Sequence, residues 1–121
     1  MMPALSRWFR RARQEGAAWI DIPALQRRLA AGGAPVLVDV REPEEYGAPP
    51  GHLPGAINIP LATVAGRAQE LAARAQPIVV VCKTDRRSAK AASELVAAGL
   101  RDVAVLRGGT DGWHQQGLPL E

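Results

Sequence analysis

Ile78-Val79-Val80-Val81-Cys82-Lys83-Thr84-Asp85-Arg86-Arg87-Ser88 decides the fold. Its first four residues are β-branched and apolar without alternation, the pattern of a strand buried on both faces of a parallel sheet. The run stops at Cys82. A polar loop follows and passes into a helix predicted over Arg87 to Ala98, with Ala91, Leu95 and Ala98 on one face and Gly99 as its stop. A strand, a short loop and a helix in that order make half of a βαβ unit.

The same alternation extends in both directions. Upstream, Trp19 to Asp21 reads as a short strand, and Pro23 suits the first turn of a helix that carries Leu25 and Leu29 and ends at Gly32-Gly33. Val36 to Val40 is a second apolar run. Glu42-Pro43-Glu44-Glu45-Tyr46 opens a helical turn with two glutamates at its positive end. Gly47 to Gly51 is a loop, Ala56 to Ile59 a short strand, and Leu61 to Ala75 a helix interrupted near Gly66. Downstream, Val103 to Leu106 is a strand, Gly108-Gly109 a turn, and Thr110 to Gln116 a last helix. The expected fold is α/β, a mainly parallel central sheet with helices on both sides.

The chain has 121 residues, enough for one ordinary domain. With 47% apolar and 22% charged residues it is globular in composition, and with only 4% aromatics its core must come from Val, Leu, Ile and Ala. The formal charge of +3 lies in residues 1–16, which hold four of the 15 basic residues and one of the 12 acidic ones. The remainder, residues 17–121, is neutral and reads as the domain proper. A nucleic-acid binder needs a basic face on its folded body, and none is indicated. In the arm, Leu5, Trp8, Phe9 and Ala12 fall on one helical stripe. It reads as a short helix docked on the domain, or as a basic arm that touches a partner or a membrane surface. No apolar run reaches the length of a membrane span. One cysteine excludes an internal disulfide and points to a reducing, cytoplasmic setting.

Cys82 stands at the carboxyl end of the strongest strand, where open parallel sheets bind ligands. The loop Lys83-Thr84-Asp85-Arg86-Arg87-Ser88 can curl so that successive amides point inward and form an anion nest. The helix that follows adds its positive end, and Arg87 adds a full charge. These effects favour thiolate, the nucleophilic form of cysteine, and the same cradle suits an anionic substrate. A buried core cysteine is the bland alternative, and Arg87-Ser88 at the helix start weighs against it. Lys83 and Arg86 would attract anions or merely face solvent.

Four ordered motifs carry a family resemblance. Cys82-x4-Arg87-Ser88 after an apolar strand resembles the active-site loop of rhodanese-type sulfurtransferases. Asp39-Val40-Arg41-Glu42 with Glu45-Tyr46, then Gly51-His52-Leu53-Pro54-Gly55-Ala56-Ile57-Asn58-Ile59-Pro60, and finally Leu106-Arg107-Gly108-Gly109 with Trp113 and Gly117-Leu118-Pro119, resemble the other signatures of that family. The resemblance implies a single-domain thiosulfate sulfurtransferase in which Cys82 carries sulfur as a persulfide. The donor would be a small anionic sulfur compound, and the acceptor a thiol, cyanide or a protein. Loop residues Lys83 to Ser88 would bind the substrate, and neither a metal nor an organic cofactor is implied.

Two departures stand out. The family often has Gly where this chain has Asp85. Asp tolerates left-handed backbone, but its charge would weaken the anion field. The link Gly47-Ala48-Pro49-Pro50 is about two residues longer than usual and reads as a surface insertion. Asp39 and Arg41 either buttress the active-site loop or form a plain strand-end ion pair. His52 reads as a loop-organising hydrogen bonder, and two distant histidines with one cysteine complete no metal set. Gly108-Gly109-Thr110-Asp111-Gly112 lacks the spacing of a phosphate loop. Rival functions are a cysteine phosphatase or an arsenate-type oxyanion enzyme, and a non-catalytic regulatory module. The phosphatase loop is Cys-x5-Arg, whereas the sixth residue after Cys82 is Ser88.

Overall fold

The computed structural model describes residues 17–32 and 35–121. The basic arm, residues 1–16, lies outside the described residues, and so does Gly33.

Five strands form one sheet in which every pairing is parallel: β1 (Ala18–Ile20), β2 (Val36–Asp39), β3 (Ile57–Asn58), β4 (Ile78–Val81) and β5 (Val103–Leu106), in the order β1-β5-β4-β2-β3. The central position of β4 explains its uninterrupted apolar sequence. Both its faces are covered, so no residue of the strand needs to be polar.

The pleat divides those residues between two layers. Val36, Val38, Ile78, Val80, Val103 and Val105 meet Val64, Ala68, Leu71, Ala91, Ala92 and Leu95 on one face. These come from α3 (Leu61–Val64), α4 (Ala68–Ala72) and α5 (Arg86–Ala97). Leu37, Val79, Val81, Ala104 and Leu106 meet Leu25 and Trp113 on the other, from α1 (Ile22–Ala30) and α6 (Gly109–Gln115). Helices therefore flank the sheet on both sides, as the sequence predicted. The short helix α2 (Pro43–Gly47) lies between β2 and β3.

Local differences have local causes. Asp21, expected to end the first strand, instead caps α1, its carboxylate accepting the Ala24 amide at 2.8 Å. Leu25 is fully buried, but Leu29 is 37% exposed, so α1 turns its last turn to solvent. The helix ends at Ala30 with Ala31 as its cap and Gly32 in left-handed backbone. The helical stretch from Leu61 breaks at Ala65–Arg67 into a tighter 3-10 turn around Gly66, resumes as α4, and ends at Ala72. The last helix begins one residue early, at Gly109.

Candidate functional site

Cys82 follows directly on β4 and is 1% exposed. Its Sγ accepts the Ser88 amide at 3.3 Å and lies 3.2 Å from Ser88 Oγ. The Ser88 hydroxyl donates to the Asp85 carbonyl at 3.1 Å. A hydroxyl is both donor and acceptor, so Ser88 takes the proton of a thiol and can turn to donate to a thiolate.

The loop after Cys82 is fixed from behind by α6. The Thr110 amide donates to the Cys82 carbonyl at 2.9 Å, and the Asp111 amide to the Lys83 carbonyl at 3.0 Å. Gly109, in left-handed backbone at φ +58°, lets the two segments approach. A Cβ there would overlap the Cys82 carbonyl oxygen and stand 2.6 Å from those of Lys83 and Thr84. Across a trans peptide the carbonyl and the next N–H point in opposite directions. With the carbonyls of residues 82 to 84 packed on α6, the amides of Lys83, Thr84 and Asp85 face the other way. The first-turn amides of α5, which no helix can satisfy internally, join them. These amides, at the carboxyl end of the central strand, are the donors from which an anion nest would be built.

A cavity of about 610 Å³ opens there, lined by Leu61, Cys82, Lys83, Thr84, Arg86, Arg87 and Lys90. Five of the seven residues singled out from the sequence thus share one wall. Asp85 and Ser88 do not line it. Ser88 is wholly buried against the sulfur. Asp85 was read as a residue that tolerates left-handed backbone and whose charge would weaken the anion field. Instead it has φ −135° and ψ −28°, and its carboxylate turns back to accept the Gly108 amide at 2.8 Å.

Arg87 also differs from expectation. It is not a bare charge over the loop. Its two terminal nitrogens bind both oxygens of Glu45 at 2.6 and 3.0 Å. That hydrogen bonding is the main reason the Glu45 carboxyl falls to about 2, and it raises the Arg87 guanidinium in turn, with smaller contributions from the charges of Glu45, Cys82 and Asp39. Lys83 pairs with Asp111 at 2.7 Å. Arg86 and Lys90 have no carboxylate within ion-pair distance among the described residues. Sequence reasoning passed over Lys90. Its place four residues after Arg86 and three after Arg87, on one face of α5, was the available signal.

The remaining signature residues build the frame. Arg41 is buried, bonds both oxygens of Asp39, and reaches the Gly51 carbonyl at 3.1 Å. This is a strand-end ion pair that anchors the 47–51 link, whose residues 47 to 50 are exposed. His52 stacks on Tyr46 at 3.7 Å between ring centroids and bonds the Tyr46 carbonyl through Nδ1. It organises this loop, as predicted. Among the described residues no group of three or more His, Cys, Asp or Glu is arranged to hold a metal, and no helix is long and apolar enough to cross a membrane.

The family model described as a rhodanese-like domain matches residues 21–116. A sulfurtransferase of Allochromatium vinosum is 34% identical over 101 residues, covering 84% of this chain and 92% of that protein. Two other curated relatives are longer, and the chain spans 52% and 42% of them. The human single-domain sulfurtransferase TSTD1 superposes with a TM-score of 0.71 at 27% identity, over 84% of this chain and 98% of that one. A Rhodopseudomonas palustris protein described as a possible tyrosine phosphatase superposes with a TM-score of 0.80 over 100% of this chain and 97% of that one. At 21% identity it shares the fold alone.

Proposed function

The chain belongs to the rhodanese-like family, and from that premise we propose that it is a sulfurtransferase that carries sulfur as a persulfide on Cys82. The observation that carries this reading is the setting of the sulfur: Ser88 donates its amide to Sγ while the loop carbonyls are held away on α6. Negative charge on the sulfur meets the Ser88 amide and a hydroxyl that can turn to donate, beside a cavity whose lining includes the cations Lys83, Arg86, Arg87 and Lys90. Preorganised donors of this kind need no rearrangement when charge arrives.

With thiosulfate as donor, the Cys82 thiolate attacks the outer sulfur. The sulfur–sulfur bond of thiosulfate breaks, its electron pair leaves with sulfite, and the new bond is that of the Cys82 persulfide. An acceptor thiolate or cyanide then attacks the terminal sulfur and returns Cys82 as thiolate. Amides of Lys83 to Arg87 hold the terminal sulfur, and Arg86 and Lys90 draw the anion in. The chemistry calls for no metal or organic cofactor, and the domain acts as a soluble cytoplasmic enzyme.

The phosphatase reading is weaker. A phosphate clamp needs an arginine turned to the anion, and both terminal nitrogens of Arg87 are turned to the Glu45 carboxylate. Thiocyanate formation from thiosulfate and cyanide, lost in Cys82→Ala, tests the proposal. Turnover of an aryl phosphate with no thiocyanate formed would reverse it.

A further inference from the structure

β1 is an edge strand, and Trp19 is its middle residue. Trp19 stands in register with Val105, so its side chain lies on the face of the sheet that α5 covers. α5 packs on β4 and β5, and Trp19 is left 43% exposed. Arg87 and Glu94 mark the flank of α5 that faces α3 across a cavity. Ala89, Ser93 and Val96, spaced at helical intervals, mark the opposite flank, on the side of β1. Ala17, Ala89, Val96 and Leu100 pack against the same core and are only partly buried. With Trp19 they form an apolar shelf between the sheet edge and α5. The Arg107 guanidinium lies 4.5 Å from the centre of the Trp19 ring and bounds the shelf at its upper end. A single exposed apolar side chain is ordinary, whereas five that share one strip mark an interaction surface.

We propose that this shelf is the docking site of the chain's own N-terminal arm, residues 1–16, whose apolar stripe Leu5, Trp8, Phe9 and Ala12 covers Trp19, Ala89, Val96 and Leu100. The arm lies outside the described residues, and three observations select it as the occupant. It joins the domain at Ala17, itself one of the shelf residues, so the tether ends where the shelf begins. The lengths agree: Leu5 and Ala12 are seven residues apart, as are Ala89 and Val96, and a helical stretch of that span is about 11 Å long. Arg13 to Gly16 supply the turn between the stripe and the strand, with Gly16 free of side-chain constraint. A helix this short is marginal by itself, but the tether makes its docking intramolecular and the shelf gives its apolar face something to pack on. The arginines between the stripe residues, Arg7, Arg10 and Arg11, then face solvent. This inference stands independently of the persulfide reading.

The test is an NMR comparison of the full chain with its Trp8→Ser/Phe9→Ser variant. In the parent, nuclear Overhauser contacts should join the Trp8 or Phe9 ring to the methyls of Val96 and Leu100. They should persist at 1 M salt, where charge attraction is screened beyond about 3 Å and apolar packing is not. In the variant those contacts should be lost, the Trp19 indole signal and the amides of Ala89, Ser93 and Val96 should move, and the urea midpoint should fall. The Trp113 indole, bonded to the Pro119 carbonyl on the other face of the sheet, should stay in place and report that the domain is folded. An unchanged shelf in the folded variant would overturn the proposal. So would contacts that appear only between differently labelled chains in a mixed sample, which would give the shelf to a second copy. An arm whose signals broaden with anionic phosphatidylglycerol vesicles while the shelf stays unchanged would overturn it in favour of a membrane surface.

Discussion

The Asp85 carboxylate and the Gly108 amide are joined by a hydrogen bond of 2.8 Å that ties the loop after Cys82 to the turn before α6. Asp85 occupies a position where glycine would leave the loop free to move, and it spends its charge on the scaffold. Removing it should loosen the nest without emptying it. Asp85→Ala is expected to lower stability by about 1.5–3 kcal/mol, the range of a charge-assisted hydrogen bond, and to slow transfer about tenfold through misplacement of the amides. Asp85→Asn keeps an acceptor oxygen and should retain most of both. Urea midpoints and thiocyanate rates on the two variants check this.

Gly109 should tolerate no side chain. Its φ of +58° is unfavourable for alanine, and the added Cβ would strike the carbonyl oxygens of residues 82 to 84. Gly109→Ala is expected to cost about 3 kcal/mol and to displace the active loop. Thermal unfolding read beside activity would show both losses. A variant of native stability and rate would contradict the close approach.

Ser88→Ala keeps the amide on the sulfur and removes the hydroxyl 3.2 Å from Sγ. Transfer should fall by about tenfold to a hundredfold and not vanish, since one donor of several is lost. Single-turnover loading from thiosulfate measures it.

The Glu45–Arg87 pair makes stability depend on pH. The Glu45 carboxyl is lowered from 4.5 to about 2, chiefly by its hydrogen bonds with Arg87. A lowered carboxyl stabilises the fold above its unfolded value and loses that contribution as pH falls through the folded one. The loss should therefore run from pH 4.5 down to pH 2. With both side chains about one-third exposed, solvent screening reduces the contribution to about 1 kcal/mol. Urea midpoints across that range should fall less steeply in Glu45→Gln than in the parent chain.

What the sequence disclosed and what it hid divide along a physical line. Ile78–Val81 and Val103–Leu106 were legible to the residue, because a strand covered on both faces must be apolar throughout. The break at Gly66 was legible because glycine weakens a helix locally. Cys82 with Arg87 and Ser88 was legible as a loop between strand and helix. The partners of Arg87 and Asp85 were not. Glu45 is 42 residues from Arg87, and Gly108 is 23 from Asp85. Only the packing of α2 and α6 beside the loop brings them there. Charges that look free in a sequence are paired by tertiary structure, which is why Arg87 was read as a bare cation.

The central claim concerns the sulfur of Cys82, and mass spectrometry after thiosulfate treatment addresses it most directly. The account predicts one adduct of about 32 Da, the mass of one sulfur atom, located on Cys82, removed by reduction and missing from Cys82→Ala. An unmodified chain across a panel of sulfur donors, or an adduct that persists in Cys82→Ala, would contradict it.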